Sequence, residues 1–148
     1  MTERVLNILK RQSKSINCIF EGKLVKSILS DQLTDIIEQI KQVGSIRKFI
    51  AIFEHQLKSE VFDSLIESGI SPMIVSSDSD IHLALETMEM INSKQMDILC
   101  LGIVDDSLLP VIIAARESYE ILLITSSEES TRKSHSYADY SISIEKLG

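Results

Sequence analysis

Carboxylates follow several of the apolar segments that this sequence predicts to be buried strands. Asp105 and Asp106 come directly after the segment at 97–104, and Glu21 follows the segment at 16–20. Carboxylate oxygens suit Mg²⁺ and Mn²⁺, and two such ions about 3.5–4 Å apart can promote hydrolysis of a phosphodiester. The acidic residues at predicted strand ends are Glu21, Asp78, Asp80, Asp105, Asp106, Glu128 and Glu129.

Each of these carboxylates also has an ordinary structural explanation. Asp78 or Asp80 can cap the helix that follows it, and Asp106 can cap the next one. The glutamates after the fifth strand can favour a helix N-terminus through the helix dipole. For any single residue, capping or solvation is the simpler interpretation. For Glu21, Asp80 and Asp105 together a site is favoured, because a parallel sheet would bring three separate segments to one place.

The elements that must position these residues follow from the apolar pattern, which alternates short continuous runs with helical spacings of three and four. Strands are predicted over 16–20, 46–53, 71–77, 97–104, 119–125 and 140–144. Helices are predicted over 31–44, 57–69, 80–94, 109–118 and 129–136. In the helix over 80–94 the spacing places one apolar face on Ile81, Ala84, Leu85, Met88 and Ile91.

Strands that read as continuous apolar runs and alternate with helices indicate parallel strands buried on both faces. Right-handed crossovers then place helices on both sides of the sheet. The predicted fold is therefore α/β, a three-layer α/β/α sandwich with a mainly parallel sheet. Ligands in such sheets bind beyond the carboxyl ends of the strands, which are the segments that carry the acids.

Composition narrows the functional classes. A chain of 148 residues suits one domain, predicted over 15–148 after an amphipathic, helical extension over 1–14. A net charge of −7 makes nucleic-acid and membrane-surface binding less expected. No signal peptide and no membrane-spanning run is found, so a cytoplasmic location is expected. Cys18 and Cys100 lie in apolar runs and are predicted to be buried, reduced thiols.

Several other chemistries lack their motifs. No G-x-G-x-x-G follows the first strand, and there is no P-loop. The three histidines, His55, His82 and His135, have no metal-binding spacing. Dinucleotide binding, P-loop phosphate binding and a histidine metal site are therefore disfavoured.

Three segments of the chain resemble a known family. SDSDIHLALETMEMI at 77–91, ILCLGIVDDSLLPVIIAARES at 98–118 and SHSYADYSISI at 134–144 are similar to the NYN domain of the PIN-like nuclease superfamily, and most of all to its archaeal LabA-like group. The resemblance implies a parallel sheet with helices on both sides and metal-dependent cleavage of RNA, with Mg²⁺ or Mn²⁺ as cofactor.

The resemblance also implies the site residues. Glu21 stands where the family has its first aspartate, and Asp80 and Asp105 match later aspartates; these three would be the catalytic residues and metal ligands. Glu86 stands at a further acidic position and would be a fourth ligand, although it lies about 120° around the helix from Asp80.

The family pattern is eroded in this chain. Glu21 is one methylene longer than aspartate, Leu24 replaces an orienting asparagine, and Ser107 replaces an aspartate. Catalytic groups must be placed within about 0.5 Å, so these changes weaken a metal site. Asp106 is a poor substitute for the lost acid, because a shift of one residue turns its side chain elsewhere.

Two hypotheses follow. The first is a degenerate NYN domain, weak or inactive as an enzyme, that binds RNA or protein. The alternative is an active Mg²⁺- or Mn²⁺-dependent ribonuclease. In either case Lys23 and Lys26, just after the first strand, and Arg132 and Lys133, near the last helix, are the candidates for contact with RNA. The superfamily resemblance also makes a homodimer conceivable, and no membrane partner is expected.

Overall fold

A computed structural model describes residues 14–28, 30–126 and 129–144 of the chain. Its centre is a six-stranded sheet with the order β3-β2-β1-β4-β5-β6, and all five neighbouring pairs are parallel. The strands are β1 (Ser15–Glu21), β2 (Ser45–Phe53), β3 (Ser71–Ile74), β4 (Ile98–Ile103), β5 (Glu120–Thr125) and β6 (Tyr140–Ser143). This confirms the predicted fold class.

Helices cover both faces of the sheet. They are α1 (Gly22–Lys26), α2 (Ser30–Val43), α3 (Ser59–Glu67), α4 (Ser79–Ser93), α5 (Leu109–Arg116) and α6 (Arg132–His135). The buried side chains of α1, α2 and α3 share one apolar cluster with one face of the sheet, and those of α4 and α5 share a second cluster with the other face. The three-layer arrangement is therefore confirmed.

The core follows the alternation of side chains along the strands. In β1, Cys18 and Phe20 enter the cluster on the α2 side, and Ile19 enters the cluster on the α4 side. Cys18 and Cys100 are register partners in neighbouring strands, fully buried and not joined by a disulfide. The prediction of buried thiols is confirmed, and burial together with contact with Cys18 raises the pKa of the Cys100 thiol.

Two local predictions differ from the structure. The first strand is followed directly by α1, which has five residues and was missed because so short a segment shows no helical period. In α4 only part of the predicted apolar face meets the core: Ala84 and Ile91 pack against it, whereas Ile81, Leu85 and Met88 are exposed. The buried apolar residues of this helix are Leu83 and Met90. A helix with two apolar faces gives a spacing signal that does not identify which face is buried.

The remaining predictions on organisation are tested less fully. The predicted N-terminal helical extension lies outside the described residues except for Lys14, as does Glu128, and the division into 1–14 and 15–148 stays a prediction. Among the residues that the structure describes, no helix is long and apolar enough to cross a membrane.

Candidate functional site

The middle of the sheet forms a crevice at its carboxyl edge. β1 and β4 are neighbours, and the chain leaves them toward opposite faces, into α1 and α2 after β1 and into α5 after β4. In open parallel sheets this change of direction opens a crevice in which ligands bind. The structure therefore places the ends of β1 and β4 where a site is expected.

Glu21 is the most buried acid at this edge. It is only 6% exposed, and its Oε2 accepts a hydrogen bond of 2.8 Å from the backbone N–H of Val104. The pKa of Glu21 is raised from the usual 4.5 to about 7, chiefly by burial and also by the charges of Asp105 and Asp80. The Val104 hydrogen bond and the Lys23 charge act in the opposite direction. Glu21 therefore lies near enough to the other two predicted catalytic carboxylates, Asp80 and Asp105, to be affected by their charges.

Asp105, another of these carboxylates, stabilises the turn in which it lies. Asp105 is exposed, and its Oδ1 accepts a hydrogen bond of 2.9 Å from the backbone N–H of Ser107. This contact closes a local turn at the end of β4 of the kind that aspartate side chains commonly form. Asp105 therefore approaches Glu21 closely enough to influence its pKa, while one of its oxygens is already occupied.

Asp106 caps a helix, but a different one from the helix predicted. The residue at the N-cap of α5 is Leu108, which makes no side-chain cap. The Oδ1 of Asp106 instead accepts hydrogen bonds from the backbone N–H of Ser134 at 2.9 Å and from its hydroxyl at 2.6 Å, and Oδ2 accepts one from the N–H of Lys133 at 3.3 Å. Burial acts to raise the pKa of Asp106, but the hydrogen bonds outweigh it and the pKa lies below its usual range. Asp106 therefore ties the β4–α5 turn to α6.

A pocket of about 190 Å³ opens beside Glu21, between α1, the end of β2 and the start of α4. Asp80 lines it, so the structure brings Asp80 and Glu21 to one cavity, whereas Asp105 lies outside its lining. The polar residues of the wall are Glu21, Lys23, Lys26, Glu54, His55, Ser79 and Asp80. The pocket thus combines carboxylates with the two lysines that the sequence predicts to contact RNA.

Glu54 is a pocket residue for which the sequence reasoning predicted no role. It follows β2 directly, and its Oε1 accepts hydrogen bonds from the backbone N–H of Ser79 at 3.2 Å and from the Ser79 hydroxyl at 3.0 Å. These hydrogen bonds lower the pKa of Glu54. Asp78, predicted as a cap, has a left-handed backbone (φ 57°) and makes no cap with its side chain. The sequence offered one indication of a role for Glu54, namely that it is an acidic residue directly after a predicted strand.

A metal site at this edge would need several carboxylates close enough together to share one ion. In residues 14–28, 30–126 and 129–144, no group of three or more Asp, Glu, His or Cys side chains is placed to hold a metal ion. Glu86 is half-buried and does not line the pocket. Leu24, where the family pattern has asparagine, is fully buried in the core on the α2 side. The described side chains therefore form no metal centre with three or more protein ligands.

The basic residues near the last helix divide between surface and interior. Arg132 and Lys133 are exposed on α6. His135 turns inward, where its Nε2 lies 3.1 Å from the hydroxyl of Thr125 and its Nδ1 lies 3.2 Å from the hydroxyl of Ser141. The surface cluster therefore consists of two cations, with His135 bridging β5 and β6.

Comparison with known proteins gives one family and one kind of fold. The model of the NYN domain matches residues 25–145, a segment that includes Asp80 and Asp105 and begins after Glu21. A crystal structure of a protein of unknown function from Vibrio parahaemolyticus superposes with a TM-score of 0.68 at 12% identity, covering 90% of this chain and 94% of that chain. No curated protein gave a significant match.

Proposed function

The chain belongs to the NYN domain family, and from that premise we propose that it is a NYN domain with weak or no nuclease activity that binds RNA. One observation carries the proposal. The acids at the sheet edge are used as hydrogen-bond acceptors within the fold, Glu21 for the N–H of Val104 and Asp105 for the N–H of Ser107. Side chains committed in this way, with no third ligand beside them in the described residues, are poorly placed for a metal ion.

RNA binding is supported by the cations beside the pocket. Lys23 and Lys26 line it from α1, and both are exposed. Lysine ammonium groups contact phosphate without regard to base sequence. Arg132 and Lys133 lie on α6, next to the turn after β4 that Asp106 holds. We infer that an RNA strand follows the carboxyl edge of the sheet from α1 to α6.

The alternative function is a Mg²⁺- or Mn²⁺-dependent ribonuclease, and a different observation favours it. Asp80 and Asp105 both lie near enough to Glu21 to raise its pKa, although the three residues come from three separate segments. In this case Glu21, Asp80 and Asp105 are the catalytic acids and metal ligands, with Glu86 on the next turns of α4. The bound ion would neutralise phosphate charge and supply an activated water.

A Mn²⁺ titration by calorimetry separates the two functions. The native chain and the variant Asp105→Asn are titrated to millimolar Mn²⁺, and both are incubated with single-stranded RNA and Mn²⁺. We expect the native chain to show no saturable Mn²⁺ binding and to cleave RNA no faster than Asp105→Asn does. Saturable binding that is lost in Asp105→Asn, together with metal-dependent cleavage, contradicts the proposal and establishes the ribonuclease.

RNA binding needs its own measurement. We expect the native chain to bind single-stranded RNA in the presence of a chelator, and the double charge reversal Arg132→Glu/Lys133→Glu to weaken binding and its salt dependence. If the native chain binds no RNA at low salt, RNA binding is excluded, and binding of a protein partner becomes the proposed function of this domain. If the native chain binds RNA and the double variant binds it with the same affinity and salt dependence, α6 is not part of the RNA surface.

A further inference from the structure

The sheet is covered unevenly on its α2 side. α2 connects β1 to β2 and α3 connects β2 to β3, so both helices belong to the half of the sheet from β1 to β3. The connections from β4 to β5 and from β5 to β6 run through α5 and α6 on the opposite face. Among the described residues, no helix therefore connects strands across the α2 side of β4, β5 and β6, although this side is apolar. Its apolar side chains are Cys100, Leu122, Ile124, Tyr140, Ile142 and Ile144.

A groove of about 450 Å³ opens on this half of the sheet, between α2 and β6. α2 contributes Gln39, Gln42 and Val43 to one wall, and the strands contribute Leu122 and Ile142. The two glutamines are exposed, and Ile142 is half-buried. A groove with apolar strand residues on one side and amides along its rim suits the apolar face of an amphipathic helix.

Lys14, the first residue that the structure describes, lines this groove. Its ammonium lies 2.6 Å from Oε1 of Glu120, at the start of β5. The hydroxyl of Tyr140, at the start of β6, donates a hydrogen bond of 2.9 Å to Oε2 of the same glutamate. This network joins the beginning of β1 to β5 and β6. The residues that precede Lys14 therefore enter the sheet beside the groove.

We propose that residues 1–13, the N-terminal segment, bind in this groove as an amphipathic helix that runs antiparallel to the strands. Thirteen helical residues measure ~20 Å, and so does a strand of six residues such as β4 or β5. The segment would therefore cross the sheet once and end at Lys14. At 3.6 residues per turn its apolar side chains lie within an arc of about 160°. They are Met1, Val5, Leu6, Ile8 and Leu9.

Charge complementarity favours this occupant. The N-terminal segment has three cations, Arg4, Lys10 and Arg11, and one acid, which gives it a net charge of +2. Because the whole chain carries −7, the other 135 residues carry −9. Acids lie on both sides of the groove, with Asp35 one helical turn before its α2 wall and Glu120 beside Lys14. A basic helix with an apolar face therefore matches both the floor and the rim of the groove.

Two other apolar patches are less accessible to the segment. Leu85 is 62% exposed on α4, which covers the opposite face of the sheet, and Ile66 is 51% exposed on α3, which packs on β3. β3 and β6 are the two opposite edges of the sheet. From Lys14 the segment reaches the groove directly, whereas it must pass around or along the sheet to reach either patch. These patches therefore provide controls.

Limited trypsin digestion of the full chain, followed by mass spectrometry, tests the proposal. Cleavage after Lys10 and Arg11 requires the segment to leave the groove, so its rate reports the population of the open form. We expect slow cleavage in the native chain and cleavage ~10-fold faster or more in Val5→Glu, which places a charge in the apolar face. Asn7→Glu is the matched control, because it adds the same charge on the opposite side of the helix and should be cleaved at the native rate.

The groove itself is tested by Gln39→Arg/Gln42→Arg, which adds two cations at exposed positions of its α2 wall. Because these cations repel the basic segment, we expect faster cleavage in this double variant than in the native chain. Leu85→Glu and Ile66→Glu alter the two other apolar patches and should both be cleaved at the native rate.

Four results would overturn the proposal. Cleavage of the native chain as fast as that of Val5→Glu shows that the segment does not bind the folded domain. A native rate in Gln39→Arg/Gln42→Arg excludes the groove as its site. Faster cleavage in Leu85→Glu or Ile66→Glu places the segment on α4 or on α3. Protection that fades when the native chain is diluted shows that the segment binds a second copy instead of its own domain.

Discussion

The backbone N–H of Val104 donates a hydrogen bond of 2.8 Å to Oε2 of Glu21. One side chain thereby joins the ends of β1 and β4, the two central strands of the sheet. It does so from a buried position, where burial raises the pKa of Glu21 to about 7. Because this carboxyl changes between its neutral and charged forms near neutral pH, the stability of this edge of the sheet depends on pH.

Replacing Glu21 by glutamine is expected to flatten that dependence. The folded pKa of Glu21 lies above its ordinary value of 4.5, so its contribution to stability is fully present below pH 4.5 and is lost as pH rises through about 7. The shift corresponds to about 3 kcal/mol across that window. Glutamine keeps an acceptor for Val104 and carries no charge. Urea unfolding with a chelator, at pH values from 4.5 to 8, measures the difference between the native chain and Glu21→Gln.

The control for this measurement is Glu89→Gln, which removes one carboxylate from the exposed flank of α4. We expect the pH profile of Glu89→Gln to follow the native profile. If the free energies of unfolding of Glu21→Gln and the native chain run parallel from pH 4.5 to 8, burial does not control the charge of Glu21.

Asp106→Ala is expected to destabilise the chain by about 1 kcal/mol, the usual effect of losing a helix cap. Its pKa is lowered in the folded state, so this contribution is present above its ordinary value of 3.8 and is lost as pH falls. The sign is opposite to that of Glu21. A double-mutant cycle with Ser134→Ala, measured by urea unfolding at pH 7, should give a coupling energy of the same order. Because Ser134→Ala keeps the backbone N–H, additive effects of the two substitutions would show that the hydrogen bond from the Ser134 hydroxyl contributes no stability.

The sequence predicted the sheet and the edge where the acids lie, because continuous apolar runs and chain order determine which segments end together. It did not predict what each carboxylate contacts. Asp106 contacts Ser134, 28 residues further along the chain, and Glu54 contacts Ser79 across two elements. Such contacts depend on how α4 and α6 return to the sheet, which local spacing does not encode. The exposed position of Leu85 was likewise unpredictable, since both faces of α4 are apolar.

Gly22→Ala tests the close approach between α1 and β2. A Cβ atom at Gly22 would lie 2.5 Å from the carbonyl oxygen of Ile52 and 2.6 Å from Cδ1 of Phe53. Because a backbone oxygen cannot move aside as a flexible side chain can, we expect a loss of ~1–3 kcal/mol in urea unfolding. Lys23→Ala, at the exposed neighbouring position, should change the free energy by less than about 0.5 kcal/mol. Equal stability of Gly22→Ala and the native chain would mean that α1 moves away from β2 at little cost.

Lys23→Ala/Lys26→Ala is expected to weaken RNA binding and to reduce its salt dependence. Each lost phosphate contact lowers the slope of log K against log salt by about 0.7 for a single strand, so two contacts give about 1.4. Fluorescence anisotropy of a labelled single-stranded RNA, measured over a range of salt concentrations, gives this slope. The matched control is Lys41→Ala/Lys48→Ala, which removes two exposed charges near the amino edge of the sheet, at the end of α2 and in the first half of β2. Since both double variants change the net charge equally, an equal fall in slope would mean that RNA responds to total charge. A fall confined to Lys23→Ala/Lys26→Ala places the RNA backbone at the pocket beside Glu21.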